Sequence, residues 1–412
     1  MSRKVLIPLL YLYALAFSVL KTVRLPNEWA VSHWMLDYRF GFIKRGLAGE
    51  IFGLLFTKNE FSIGILSVVM IGLLYLLIFL IAIKETYRQN CSIHSVAFCL
   101  IFFLSQYMVF SAHLIGYLDH IIFLIAILVL YLIRLEKVLL PSILASISIL
   151  IHEISFFIML PVSILALLMP FLSNGNLSLS YLRSSGALKR TVLFLILPVL
   201  TVMCVYTFQE ANGRNMYPLI YHYLSHTGFV TQRYADSVAS AYTKSFSYYF
   251  ADESRHFFQR IFVSRCSIWY GLPILFMMLM LFKMFRKVNT IIPVLIVAVS
   301  VFPLLLHAIA WDTFRIWAFP FMLLFLGWYA ADSPTRTIAT DSDCLSFAEK
   351  AFFTVSFLLV TLIPNFLFDG ASERFSIPLR LALILPVLAA VFYLNKQAPA
   401  INGRGVHESI KK

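Results

Sequence analysis

The chain has 412 residues, 60% of them hydrophobic and only 13% charged, too few polar side chains to cover a water-soluble globule of this length. The formal net charge of +13 is spread over many connections instead of forming one basic tract. That excludes a nucleic-acid partner and favours anionic lipid or phosphate-bearing ligands. The cysteines Cys91, Cys99, Cys204, Cys266 and Cys344 show neither a C-x-x-C pair nor metal-ligand spacing, so no disulfide framework is expected.

The opening stretch, MSRKVLIPLLYLYALAFSVL, has the basic and apolar regions of a signal peptide but no small-x-small cleavage site. It reads as a retained first helix over residues 5–20. Residues 21–60 follow with six bases and no spanning length, the pattern of an outer interfacial amphipathic segment. Its centre, WMLDYRFGFIKRGLAGEIFG over residues 34–53, is expected to lie along the membrane as an amphipathic helix with a turn at Gly46. Phe40, Phe42 and Ile43 would then face apolar surroundings and Asp37 a cavity.

Further apolar runs lie at 61–83, 95–111, 118–133, 138–151, 154–172, 191–208, 267–282, 291–310, 314–330, 351–367 and 378–394. With the first helix they predict an all-α polytopic bundle of twelve spans, a single integral membrane domain over residues 1–412. Several runs are shorter than the ~20 residues that cross a ~30 Å hydrocarbon core, so some helices should stop short inside the bundle. Residues 209–266 read as a large outer loop, rich in tyrosine and histidine.

Short loops set orientation through their lysines and arginines. Lys84 and Arg88, Arg134 and Lys137, Arg183 with Lys189 and Arg190, Lys283 with Arg286 and Lys287, and the basic tail fall on one side. Both termini are therefore expected in the cytoplasm. Asp37, Asp119, His152, Glu153, Asp312 and Arg315 then share the opposite, outer face. The middles of the spans hold almost no ionisable residue, which weighs against an ion-coupled transporter with its site near the midplane. His94 and His307 read as satisfied structural histidines.

A multi-span chain with its acids on the outer face, one of them in the first outer loop (Asp37 in HWMLDYRFGF), another after the third span (Asp119) and one long outer loop resembles the GT-C superfamily of polyprenyl-phosphate-dependent glycosyltransferases. The resemblance implies a first outer loop that supplies an acid to the catalytic site, a position Asp37 matches. It also implies a polyprenyl-phosphate-linked sugar as donor, a glycan or lipid-linked acceptor, and a multi-pass protein of the bacterial inner membrane. The paired acids of many members, D-D, D-x-D or E-x-D, are replaced here by lone Asp37 and Asp119, so no cofactor is assigned and a divalent metal stays open. O-antigen polymerases, which share the span number and basic outer loops, are the neighbouring alternative. A flippase of lipid-linked sugars and a non-enzymatic scaffold are the other classes.

Transfer from a lipid phosphate needs a base for the acceptor hydroxyl and cations for the departing phosphate. Asp37 is the first choice for base, with Asp119 and Glu153 as substitutes. Lys44, Arg45 and Arg315 are the phosphate candidates, arginine being favoured for its planar fork, and Asp312 would orient Arg315. In the simpler reading of WDTFRIW, Asp312 only caps the following helix and pairs with Arg315. Tyr221 and Tyr223, in NMYPLIYHYLSHTG, are the acceptor-stacking candidates, against the competing reading of an interfacial aromatic belt.

Overall fold

The computed structural model describes residues 2–172, 186–286, 289–331 and 344–397. Arg183, Lys287 and the basic tail, which enter the orientation reading, lie outside them. In chain order the helices are α1 (Arg3–Thr22), α2 (Glu28–Met35), α3 (Gly46–Leu55), α4 (Glu60–Arg88), α5 (Ile93–Leu104), α6 (Gln106–His113), α7 (Asp119–Arg134), α8 (Leu139–Ile151) and α9 (Ser155–Leu172). They continue with α10 (Ala187–Ser225), α11 (Gln232–Thr243), α12 (Phe246–Glu253), α13 (Cys266–Trp269), α14 (Gly271–Phe285), α15 (Ile291–Val301), α16 (Thr313–Ala331), α17 (Phe347–Leu362) and α18 (Ile377–Gln397). No strand occurs among the described residues.

Nine helical stretches among the described residues are long and apolar enough to cross a membrane. The expected spans at 118–133, 138–151 and 351–367 form α7, α8 and α17, of 16, 13 and 16 residues, which fall short of that length. A helix of 13 residues reaches only about 20 Å at 1.5 Å per residue. The chain after α8 turns back into α9 within residues 152–154.

Burial sorts the long helices into a centre and a rim. Ile93–His113 is 100% buried and Thr313–Ala331 89%, whereas the most apolar stretch of α10 is 17% buried and that of α4 28%. Helices that are apolar all round yet uncovered belong in lipid, which satisfies their side chains while the helix satisfies its own backbone. The centre is aromatic: Phe102 stacks on Phe325 at 4.3 Å, and Phe98 and Trp328 tilt against each other at 5.3 Å. The break between α5 and α6 falls at Ser105, whose hydroxyl donates back to the Phe102 carbonyl at 2.6 Å.

Two expected outlines change. The helix that begins at Ala187 does not stop near residue 208 but runs to Ser225, so the first third of the expected 209–266 loop is helix. Tertiary packing carries the helix past Gly213 and Pro218. Gly213 lets α11 approach so closely that a Cβ would stand 2.4 Å from the Thr243 carbonyl oxygen, and Gln209 donates to the Tyr242 carbonyl at 2.8 Å. The single amphipathic helix expected over 34–53 is instead α2 ending at Met35, a 3-10 turn at Tyr38–Phe40, and α3 beginning at Gly46.

The bundle has two polar ends. At one, Glu85 pairs with Arg88 and Arg134, Lys283 meets Glu349 at 2.8 Å, and Arg190 donates to the Glu136 carbonyl. At the other gather α2, α3, α11, α12 and the links 114–118, 152–154, 309–312 and 363–376. α3 is docked there by a close backbone approach: a Cβ at Gly49 would lie 2.0 Å from the Leu36 carbonyl oxygen. Gly49→Ala should therefore cost about 1–3 kcal/mol, the usual penalty of overpacking. Gly64→Ala on α4, where nothing stands within 4 Å, should be neutral or slightly favourable. Thermal unfolding of both variants in detergent checks the contrast.

Candidate functional site

The second polar end encloses a cavity of about 970 Å³. Its floor is apolar, with Phe156, Phe157, Val202 and Leu306, while its walls carry Lys44, Arg45, Arg233, Arg315, Glu153 and Asp312. Four cations against two carboxylates leave the lining positive.

Local chemistry of residues 36–45 explains how two adjacent bases reach this wall. Asp37 caps the 3-10 turn by accepting from the Arg39 backbone N–H at 3.0 Å, and it pairs with the Arg39 side chain at 2.8 Å and with Lys58. Lys58 also donates to the Met35 carbonyl at 3.1 Å, which ties the end of α2 to the start of α4. Two left-handed residues then redirect the chain, Gly41 at φ +90° and Arg45 at φ +63°. A left-handed arginine is disfavoured by ~1–2 kcal/mol, and its side chain supplies the compensation. The Arg45 guanidinium donates to both Glu153 oxygens, Nε to Oε2 at 2.9 Å and Nη2 to Oε1 at 2.5 Å.

Glu153 sits in the short link between α8 and α9. Burial alone would raise its carboxyl, but Arg45 and His152, whose Nδ1 is 3.2 Å away, hold it well below the ordinary carboxylate range. Arg45 also lies over the Tyr242 ring at 5.7 Å, and the Tyr242 hydroxyl shares a 2.9 Å hydrogen bond with His33 Nδ1. Burial, reinforced by Arg45, His152 and Arg315, pushes His33 well below its ordinary value and keeps it neutral.

Across the cavity Arg315 is held in the same way. It donates to Asp119 through Nε at 2.8 Å and Nη2 at 2.6 Å, and to Asp312 through Nη1 at 3.2 Å. Burial raises the Asp312 carboxyl to about 6 although Arg315 opposes the shift, because Asp119 already claims that guanidinium and adds its own negative charge.

Lys44 differs from both arginines. Its ammonium donates to the Lys244 carbonyl at 2.9 Å and lies 5.0 Å from the Tyr249 ring centre, with no carboxylate partner among the described residues. An ammonium has three N–H donors, and here they meet one backbone carbonyl and one aromatic face on the cavity wall. Burial lowers its pKa to about 8, with Glu153 opposing the shift and Arg45 adding to it.

Of the residues singled out from sequence, Lys44, Arg45, Glu153, Asp312 and Arg315 line one cavity, and Asp119 stands behind Arg315 on a small neighbouring pocket. Asp37 does not line the cavity: the expected rotation towards it is not met, because Lys58 and Arg39 hold both its oxygens within its own turn. Tyr221 and Tyr223 do not line it either. Tyr221 stacks on Tyr217 and Tyr223 takes Arg39 over its ring at 5.1 Å, since the continuous α10 turns them to other faces. Trp29, His33 and Tyr117 line the cavity without having been singled out, and Trp311, which in the simpler reading of WDTFRIW only flanks an interface, lines it too. The Trp29–His33 spacing of four, one face of a helix, was the readable signal. Among the described residues no group of three or more His, Cys, Asp or Glu side chains converges into a metal-ligand set.

No family model, no curated protein and no solved structure matches the chain.

The Arg315 cluster makes a stability prediction. Removing one partner from a buried ion pair costs about 3–5 kcal/mol, whereas removing both is much cheaper. Arg315→Met should lower the unfolding temperature strongly, and Asp119→Leu added to it should restore a substantial part. Equal unfolding temperatures for the single and double variants would show that the pair is not what fixes this wall.

Proposed function

We propose that the protein is a membrane glycosyltransferase that moves a sugar from a polyprenyl-phosphate-linked donor to a glycan or lipid-linked acceptor at the non-cytoplasmic face. The observation that carries this reading is Lys44, a buried ammonium whose partners are a backbone carbonyl and a tyrosine ring, not a carboxylate, on the wall of a largely apolar cavity. The arginines Arg45 and Arg315 are already matched to carboxylates there. A phosphate on an isoprenoid chain suits such a site, its oxygens on Lys44 and its hydrocarbon over Phe156, Phe157, Val202 and Leu306.

The transfer then needs few parts. The acceptor oxygen attacks the anomeric carbon while its proton passes to a carboxylate, the carbon–oxygen bond to the phosphate breaks, and the departing phosphate keeps the electron pair beside Lys44. Asp312 is the base in this reading. A carboxyl with pKa about 6 combines an ionised ground state near neutrality with useful basicity, whereas Glu153 is held too acidic by Arg45 and Asp119 is doubly engaged by Arg315. Asp37 acts at a distance, fixing the turn that delivers Lys44 and Arg45. The reading puts the Lys283 and Arg134 end in the cytoplasm with both termini, treats the short α7, α8 and α17 as the remaining three of twelve spans, and places the protein in a bacterial inner membrane. A flippase is disfavoured by the aromatic filling of the bundle centre. A polymerase would differ in its acceptor alone.

Two outcomes follow. Turnover with a polyprenyl-phosphate sugar should rise with pH through about 6, as Asp312 ionises, and fall through about 8, as Lys44 loses its proton. Asp312→Asn should lower turnover by about 10²–10⁴, the usual contribution of a positioned general base, while Lys44→Ala should chiefly raise KM. A pH-independent rate, or a fully active Asp312→Asn protein, removes the base assignment. In whole cells a cysteine at exposed His226 should react with an impermeant maleimide, and one at exposed Lys137 only after permeabilisation. The reverse pattern would put the cavity in the cytoplasm.

A further inference from the structure

Beside Asp312 the cavity is lined by two aromatic rings, Trp311 and Phe368. Trp311 is 61% exposed. The two rings meet edge to face, centroids 6.2 Å apart and planes at 86°, which makes a right-angled corner.

Each ring stands on a rigid support. The link before α16 is pinned by Arg260, which donates to the carbonyls of His307 at 3.3 Å and Ala310 at 3.0 Å and pairs with Glu253 at 2.5 Å. On the facing strap, residues 363–376, His113 Nε2 stands 3.3 Å from the Phe368 carbonyl oxygen and Phe110 packs on the Phe368 ring. The strap itself is tied down by a buried carboxylate. Glu373 meets Arg380 at 2.6 Å and Lys21 at 3.4 Å, and accepts from Asn365 through its backbone N–H and side-chain amide. Burying such a network adds little stability, but it fixes where Phe368 stands.

We propose that Trp311 and Phe368 form a stacking platform for a pyranose ring of the acceptor, seated so that a hydroxyl on its edge meets Asp312. A pyranose has an apolar face of C–H groups and a rim of hydroxyls, so it needs an aromatic plane next to charged hydrogen-bonding groups. Here Asp312 follows Trp311 in sequence, and Arg315 stands one turn further on. A tryptophan that merely anchored the bundle in the interface would present its ring to lipid, whereas this one lines the charged cavity. The aromatic pair takes the acceptor role that Tyr221 and Tyr223 are not placed to fill. The inference rests on the transferase reading for the identity of the ligand, not for the existence of the platform.

The test uses the full chain in nanodiscs and saturation-transfer NMR with methyl α-glucoside, methyl α-galactoside and methyl α-mannoside as probes. At least one should receive saturation on its ring C–H protons. Trp311→Ala should weaken that binding about tenfold, the order expected for loss of an aromatic contact, and Trp311→Phe should retain most of it. No sugar binding by the wild type, or equal binding by Trp311→Ala in a sample with an unchanged unfolding temperature, overturns the platform. Binding of polyprenyl phosphate to the same samples separates the two ideas: its absence in the wild type sinks the donor reading, whereas sugar binding alone decides the platform.

Discussion

The structure depends on how ionic groups are kept at one end of an apolar bundle. A carboxylate or guanidinium taken from water into such surroundings costs several kcal/mol unless it is matched and its hydrogen bonds are filled. The protein meets that constraint with two forked pairs, Arg45 with Glu153 and Arg315 with Asp119, each using two N–H···O bonds. The pairs join segments far apart in sequence, so they also hold the short turn after α2, the end of α8, the start of α7 and the start of α16 around one space. The cavity is what remains between those fixed walls.

Because Arg45 and Arg315 are already balanced by carboxylates, Lys44 and Asp312 are the groups on which the proposed chemistry rests. Lys44 meets a carbonyl and a tyrosine ring, not a carboxylate, and Asp312 is the junior partner at Arg315, displaced in pKa by burial and by Asp119. In the proposed reading, Lys44 meets a phosphate that carries hydrocarbon and the weakly held Asp312 takes the proton that the reaction moves. Asp37, the most conspicuous acid near the first helix, has its charge spent on Lys58 and Arg39. Its contribution is the direction in which the next residues point.

Much of this was legible in the sequence because it follows from composition and spacing. The all-helical bundle and the placing of Lys44, Arg45, Glu153, Asp312 and Arg315 towards one end of it appear as apolar runs with charges at their ends, whereas which helices form the centre does not. Rotation within a turn was not legible. Whether Asp37 faces a cavity or its own turn depends on the left-handed residues Gly41 and Arg45 and on Lys58, 21 positions away, and no periodicity encodes that. The run of α10 to Ser225 was hidden for a related reason: its continuation depends on α11 packing against Gly213, a contact made only in the folded chain.

The most direct test compares the binding of polyprenyl phosphate and the corresponding polyprenol, identical except for the phosphate, to the purified protein in nanodiscs. The account predicts that the wild type prefers the phosphate by at least about tenfold, a difference of ~1.4 kcal/mol. It also predicts that Lys44→Ala abolishes the preference while Trp311→Ala leaves it in place. Equal binding of phosphate and alcohol by the wild type, or a preference that survives Lys44→Ala undiminished, would contradict it.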